Sequence, residues 1–271
     1  MNVNKLKHQF INKGFVVVPI PDLLNRIPTL INSFDTVINK AESLGAKGLV
    51  KIRKSDLEDM SGSGWSWGCD HIFAPELLNQ DLLDIASLEP IPLIVRYILG
   101  NRIRWTGGHG HWSPKNYDYY LHWHRDTRPN LWKNAHFEPC SHVQVCVALQ
   151  KEAVIWLVPG SHLRYLEEWE YKYIEGDDKH NEHPHQIIPE IPAGSALIFN
   201  TYTLHRAQCS KNDKRRSIHF GFTKTDNTIQ EVYRLGKHFD WLSEQNFINA
   251  QSTFLQQCIR EQVTWQEMLK K

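Results

Sequence analysis

Between Asp22 and Gly45 the apolar residues Ile27, Leu30, Ile31, Phe34, Val37 and Ile38 recur at spacings of three and four. That rhythm predicts a helix capped by Asp22 and ended by Gly45, with Pro28 in its first turns. A polar helix over Val3–Lys13 and a β-type run, Phe15-Val16-Val17-Val18-Pro19, come before it. A second helical pattern, through Leu93, Ile94, Tyr97 and Ile98, opens after Pro92 and stops at Gly100. From Arg102 the texture changes to short β-branched and aromatic runs separated by turn residues. Strands are predicted near Ile103 to Thr106, Tyr119 to His124, His142 to Leu149, Val154 to Val158, His185 to Pro189, Ser195 to Asn200, Leu204 to Ala207 and Ser217 to Thr223. The tail from Thr228 to Lys271 returns to helix, with Phe254, Leu255, Cys258, Ile259 and Val263 on one stripe.

Strands at this spacing point to a barrel or a double-sheet jelly roll rather than to alternating β/α units. Helices first and strands later is the order of a helical buttress packed outside a β-barrel. No linker or shift in composition divides the chain, which predicts a single domain. Its parts are a helical segment over about 1–100, a β core over about 102–225 and a helical tail over about 228–271. The tail stripe packs on the barrel or meets a second copy, so the chain is expected to be a monomer or a homodimer.

Composition narrows the function classes. Lys and Arg total 31 against 30 Asp and Glu, so no net field favours nucleic acid or an anionic membrane. Five scattered cysteines without a CxxC pair argue against a disulfide framework and suit a reducing compartment. The start of the sequence has no apolar signal core, the final residues carry no peroxisomal Ser-Lys-Leu, and no apolar run is long enough to span a membrane. The expected setting is therefore the cytoplasm. Fifteen histidines and ten tryptophans favour a lined, metal-binding pocket.

Candidate chemistry concentrates in Tyr120-Leu121-His122-Trp123-His124-Arg125-Asp126-Thr127. Alternate side chains of a strand share a face, so Tyr120, His122 and His124 can line a barrel interior, with Asp126 on the turn beyond. His124 and Asp126 need a third ligand from a later strand. His205, at the end of the Gly194-led apolar run, is the best placed. Two imidazoles and one carboxylate on one face of an octahedron are the ligand set of non-haem Fe(II) oxygenases. Arg216 opens the strand Ser217-Ile218-His219-Phe220 and can pair bidentately with a dicarboxylic acid. Tyr120, His122 and His219 on core strands, and Arg128 and Trp132 after the metal motif, are the candidates for gripping a small-molecule substrate. Ser61–Gly68, with two tryptophans, reads either as a flap over a pocket or as a surface loop pinned by its tryptophans. His109 and His111 read as a flexible Gly-rich loop, either solvated or approaching the substrate, and His162 as part of a structural turn.

Four blocks in order then carry a resemblance. Trp-His-x-Asp at Trp123–Asp126, Val158-Pro159-Gly160-Ser161-His162, the Gly-x-x-x-x-Phe and Leu-His of Gly194–His205, and Arg215-Arg216 before the last core strand resemble the phytanoyl-CoA dioxygenase family of Fe(II)/2-oxoglutarate oxygenases. Gly14-Phe15-Val16-Val17-Val18 and Leu99-Gly100 extend the likeness to roughly residues 5–225. The resemblance implies a double-stranded β-helix, or cupin-like jelly roll, with helices outside it. It implies Fe(II) on His124, Asp126 and His205, 2-oxoglutarate anchored by Arg216, and O₂ as co-substrate; strand alternation lets only one of Arg215 and Arg216 face inward, so Arg215 is the alternative anchor. Related halogenases have Gly or Ala at the carboxylate position, so Asp126 implies hydroxylation or another oxidation of a metabolite such as an amino acid or a natural-product intermediate, with release of succinate and CO₂. The alternative from a different class is a cupin-like metal-binding protein, a sensor or an isomerase, which needs no dicarboxylate anchor.

Overall fold

The computed structural model describes residues 3–46, 52–53, 68–113, 118–126, 140–226 and 237–269. Arg128, Trp132 and residues 61–67 of the expected flap lie outside that set. Two antiparallel sheets form a double-stranded β-helix, and helices cover the outer face of the larger one.

The helical part opens with α1 (Val3–Lys13), which leads through Gly14 into β1 (Phe15–Pro19). The long helix foreseen from Asp22 is split. Pro21–Leu24 forms a single turn, α2, and α3 runs over Ile27–Ala46 with Pro28 in its first turn. Pro28 has no N–H to give and fits where none is needed, so the helix restarts rather than running on from Asp22. The described β2 (Ile52–Arg53) and β3 (Gly68–Cys69) lead to α4 (Gln80–Asp84), capped by the Asn79 side chain, and α5 (Ile91–Leu99).

The core strands are β4 (Ile103–Trp112), β5 (Tyr119–Tyr120), β6 (His142–Ala148), β7 (Ile155–Leu157), β8 (Ser195–Asn200), β9 (His205–Cys209) and β10 (Arg216–Lys224). They form a seven-stranded sheet, β1-β8-β6-β10-β4-β3-β2, and a three-stranded sheet, β5-β9-β7. Between β7 and β8 lies a folded excursion that includes the one-turn helix α6 (Tyr171–Ile174). The chain closes with α7 (Gln245–Asn249) and α8 (Thr253–Leu269).

The pattern of β6 shows why the large sheet is central. Val143, Val145 and Val147 face the helices, where they join Leu30, Phe34, Ile94, Phe220 and Ile259 in the main core. Cys146 and Ala148 face the opposite way and pack with Phe15, Leu157, Leu197 and Phe199 between the sheets. A strand buried on both faces reads as a nearly unbroken apolar run. The tail stripe packs in the same outer core: Phe254, Leu255, Cys258 and Ile259 are all buried there.

Two expected strands shrink. Of His185–Pro189 only Ile187 pairs, through one bridge to Leu157. β5 stops at Tyr120, and the chain returns to the sheet at His124 as an isolated bridge. Conversely, the Gly-rich stretch holding His109 and His111 is the middle of β4 rather than a flexible loop. Glycine is needed there because Cβ atoms on Gly108 and Gly110 would run into Phe73 and Ile72 of the covering layer. Among the described residues no helix is long and apolar enough to cross a membrane.

Candidate metal centre

His124 and His205 face each other across a two-way backbone bridge. Each donates its N–H to the other's carbonyl at 2.9 Å. Opposed residues of an antiparallel pair share a face, and here the ring centroids stand 4.3 Å apart. The Asp126 N–H donates to the Thr201 carbonyl at 3.0 Å, which folds the turn back toward the pair. Asp126 Oδ1 thereby lies 3.5 Å from His124 Nε2 and 3.7 Å from His205 Nε2. The three ligand atoms sit within 4.8 Å of one another, and among the described residues no other group of three His, Cys, Asp or Glu converges in this way.

The outer nitrogens are tied off. His124 Nδ1–H donates to the His122 carbonyl and His205 Nδ1–H to the Thr203 carbonyl, both at 2.8 Å. A carbonyl can only accept, so these bonds keep a proton on each Nδ1 and turn both Nε2 atoms toward Asp126. Burial, with the neighbouring His124, pushes His205 down to about 4. Burial alone would raise Asp126, but His205 and His124 outweigh it and hold the carboxyl far below its usual range. Burial would likewise lower His124, yet the hydrogen bond and charge of Asp126 bring it above its ordinary value. Two imidazoles and one ionised carboxylate around a common point are a donor set that fits ferrous iron.

The rest of the interior is polar in an ordered way. β10 alternates, so Ile218, Phe220 and Phe222 join the outer core while Ser217 and His219 face in. Arg216 belongs to the outer set. Its guanidinium grips Asp35 of α3 through two hydrogen bonds and reaches Gln150 at 3.0 Å, so the expectation that it enters the cavity is corrected. The inward arginine is Arg215, 1% exposed. Its Nε donates to Glu152 Oε2 at 3.0 Å and to Ser217 Oγ at 3.1 Å, Nη1 donates to the Tyr119 hydroxyl, and Nη2 lies 3.4 Å from His219 Nε2. Burial of Cys146 pushes its thiol well above the usual range, with Glu152 and Asp126 adding to the effect and Arg215 opposing it.

The substrate candidates divide. His219 is inside, its ring 4.4 Å from that of His111 on β4. His122 stands beside the centre, 5.6 Å from the His124 ring, and burial together with His124 and the neighbouring His180 and Lys179 lowers it to about 4. Tyr120 does not line the cavity. It pairs across the ladder with Gln208 on the outer face of the small sheet, near Arg206, whereas Tyr119 opposite Cys209 points inward. The strand phase is thus one residue off the expected one, because the regular ladder ends at Tyr120 and does not continue unbroken to His124. Tyr119 and Glu152 were not singled out from sequence, whereas Arg215 was the alternative to Arg216 that strand alternation left open. The alternation Arg215, Ser217, His219 against Arg216, Ile218, Phe220 contained the signal for Arg215, while Glu152 in a turn carried none.

The excursion after β7 closes over this edge. His162 is structural, as expected, with Nε2 bonded to the Ile11 carbonyl at 2.8 Å. Arg125, between the two ligands, is buried and donates to the carbonyls of Ser161 and Arg164. Arg206 lies against the Trp156 ring at 4.1 Å and donates to the His180 carbonyl at 2.6 Å, while Trp123 Nε1 donates to the Asn181 carbonyl at 2.8 Å. Segment 179–181 is thereby laid beside the metal motif.

Comparison with known proteins agrees with this geometry. The family model for phytanoyl-CoA dioxygenase (PhyH) matches residues 69–218. No curated protein matches. Among solved structures, EctD from S. alaskensis with 2-oxoglutarate and 5-hydroxyectoine superposes with a TM-score of 0.60 at 15% identity, covering 84% of this chain and 77% of that one. HygX from Streptomyces hygroscopicus with nickel, 2-oxoglutarate and hygromycin B gives 0.57 at 15% identity, covering 83% and 88%. The non-haem α-ketoglutarate-dependent epimerase SnoN from nogalamycin biosynthesis gives 0.55 at 15% identity, covering 82% and 83%. At such identities the likeness speaks for the shared fold.

Proposed function

The chain belongs to the phytanoyl-CoA dioxygenase family, and from that premise we propose how its residues divide the work of an Fe(II)/2-oxoglutarate-dependent oxygenase acting on a small molecule. His124, Asp126 and His205 hold the iron, and Arg215, rather than its neighbour Arg216, receives the distal carboxylate of 2-oxoglutarate. The observation that carries the assignment is the convergence of two Nε2 atoms on Asp126 Oδ1 with both Nδ1 atoms tied to backbone carbonyls. Iron bound there supplies the activation of O₂ that couples oxidative decarboxylation of 2-oxoglutarate to oxidation of the substrate.

The chain's own residues do the positioning. The His122 and Thr203 carbonyls orient the ligand rings, and Asp126 stays ionised to complete the set. Arg215 places a cation deep in the barrel at a site closed to solvent, where a charge-assisted pair with a carboxylate is strong. Its inward face is what a cupin-like sensor or isomerase would not need. Neutral His122 and the segment around His180 border the open side, where a metabolite such as an amino acid or a natural-product intermediate is oxidised. Asp126 keeps that ligand position for the protein, in favour of hydroxylation over halogenation. Free thiols at all five cysteines suit a cytoplasmic enzyme.

The test is anaerobic addition of Fe(II) and 2-oxoglutarate, which is expected to develop the weak visible charge-transfer band of the chelate. Asp126→Ala and His205→Ala are expected to lose it. A folded, iron-loaded wild type that shows no band overturns the reading.

A further inference from the structure

The guanidinium of Arg215 is not waiting alone for an anion. Glu152 sits in the turn between β6 and β7, held by a two-way backbone bridge to Ile191 with N–H to carbonyl distances of 3.0 and 2.8 Å. Its carboxylate enters the barrel, 1% exposed like its partner, and meets Arg215 Nε at 3.0 Å. The other oxygen, Oε1, has no hydrogen-bond partner among the described residues. The charge on Glu152 is therefore answered chiefly by Arg215, and the pair is electrically neutral before any ligand arrives.

The pairing also fixes geometry. Glu152 and Ser217 share the Nε–H, Tyr119 takes one proton of Nη1, and Nη2 leans toward His219. Among the described residues one N–H on each terminal nitrogen is left for an incoming carboxylate, beside the Tyr119 hydroxyl. Burial pushes the Tyr119 phenol well above its usual range, further than the opposing Arg215 lowers it, so this group stays protonated. An incoming carboxylate thus meets oriented donors but also a fixed negative charge on the far side of the same guanidinium.

We propose that Glu152 is a resident counter-ion that holds Arg215 in place and weakens the grip of the site on the distal carboxylate of 2-oxoglutarate. The proposal rests on the reading of Arg215 as the anchor. A buried ion pair adds little net stability over apolar packing, so stability alone does not call for an acid here. With both charges in place, the distal carboxylate adds to a neutral pair. Without Glu152 it would add to a bare cation, and at an effective dielectric of about 20 one unit charge several ångströms away is worth about tenfold in affinity or more.

Glu152→Gln keeps the shape and an acceptor for Nε–H while removing the charge. Anaerobic titration of the Fe(II)-loaded variant, followed by the charge-transfer band, is expected to give a dissociation constant for 2-oxoglutarate about tenfold below wild type. The rise in Tm on adding 2-oxoglutarate should also be larger than in wild type, starting from a lower value because Arg215 has lost its partner. Unchanged or weaker binding in the folded variant overturns the proposal. Should the variant not fold, wild type decides the matter: 2-oxopentanoate, which has the same chain length without the distal charge, is expected to bind within about tenfold of 2-oxoglutarate, and a larger preference for 2-oxoglutarate overturns the proposal. Wild type that loads iron but binds neither oxo acid refutes the anchor reading itself.

Discussion

Arg215 and Arg216 are adjacent, yet one is sealed inside the barrel and the other lies on its outside. The chain spacing from His205 does not separate them, but the phase of β10 does, since Ile218, Phe220 and Phe222 must face the helices and carry Arg216 with them. The consequences of removal differ accordingly. Arg216→Ala breaks a partly exposed pair with Asp35, and is expected to lower stability by about 1 kcal/mol or less while leaving 2-oxoglutarate binding intact. Arg215→Ala strands the buried charge of Glu152, at a cost of about 3–5 kcal/mol, and abolishes binding. Thermal unfolding with and without 2-oxoglutarate reads both effects. Gly14 is a second position where one atom decides. Its φ of +85° is in the left-handed region, and a Cβ there would lie 2.6 Å from His162 Nδ1 and closer still to the Thr203 hydroxyl. Gly14→Ala is expected to destabilise by about 1–3 kcal/mol and to weaken iron binding, because Thr203 carries the carbonyl that orients His205. Equilibrium unfolding and a metal titration check the two parts.

At the scale of elements, the helices and the long core strands were legible because each has its own periodicity. The edges of the small sheet were not, since β5 and the bridge at His124 are set by contacts with residues far along the chain. The excursion after β7 was legible only as a polar loop. Its order comes from Glu170, which is fully buried, accepts two hydrogen bonds from Arg164 at 2.5 and 2.7 Å, and lies 3.1 Å from His183. Nothing local in the sequence announces these pairings. Burial would raise the Glu170 carboxyl, but Arg164 and His183 together hold it far below its ordinary value of 4.5. The unfolded excursion therefore binds the proton more readily than the folded one. The stabilisation is complete above about pH 4.5 and is lost as the pH falls below it. Hydrogen exchange is expected to show residues 164–185 opening ahead of the barrel on acidification. In Glu170→Gln the same segment should be loosened already at pH 7, with the acid dependence removed.

At the scale of the molecule, the order of helices, strands and helix foretold the architecture, because a sheet buried on both faces needs a layer outside it and the sequence spends its first part and its tail on amphipathic helices. How those parts are stitched is another matter. β1 is an edge strand of the large sheet and pairs with β8, Phe15 against Phe199, across most of the chain. During synthesis Phe15–Pro19 leaves the ribosome long before its partner exists, as an unpaired β-branched run able to add to any other sheet edge. Fragments ending before Ser195 are thus expected to aggregate on sedimentation, while the full chain, in which β8 pairs β1 and the tail helix covers the outer core, remains soluble. The cell must shelter one strand until nearly the whole barrel has been made.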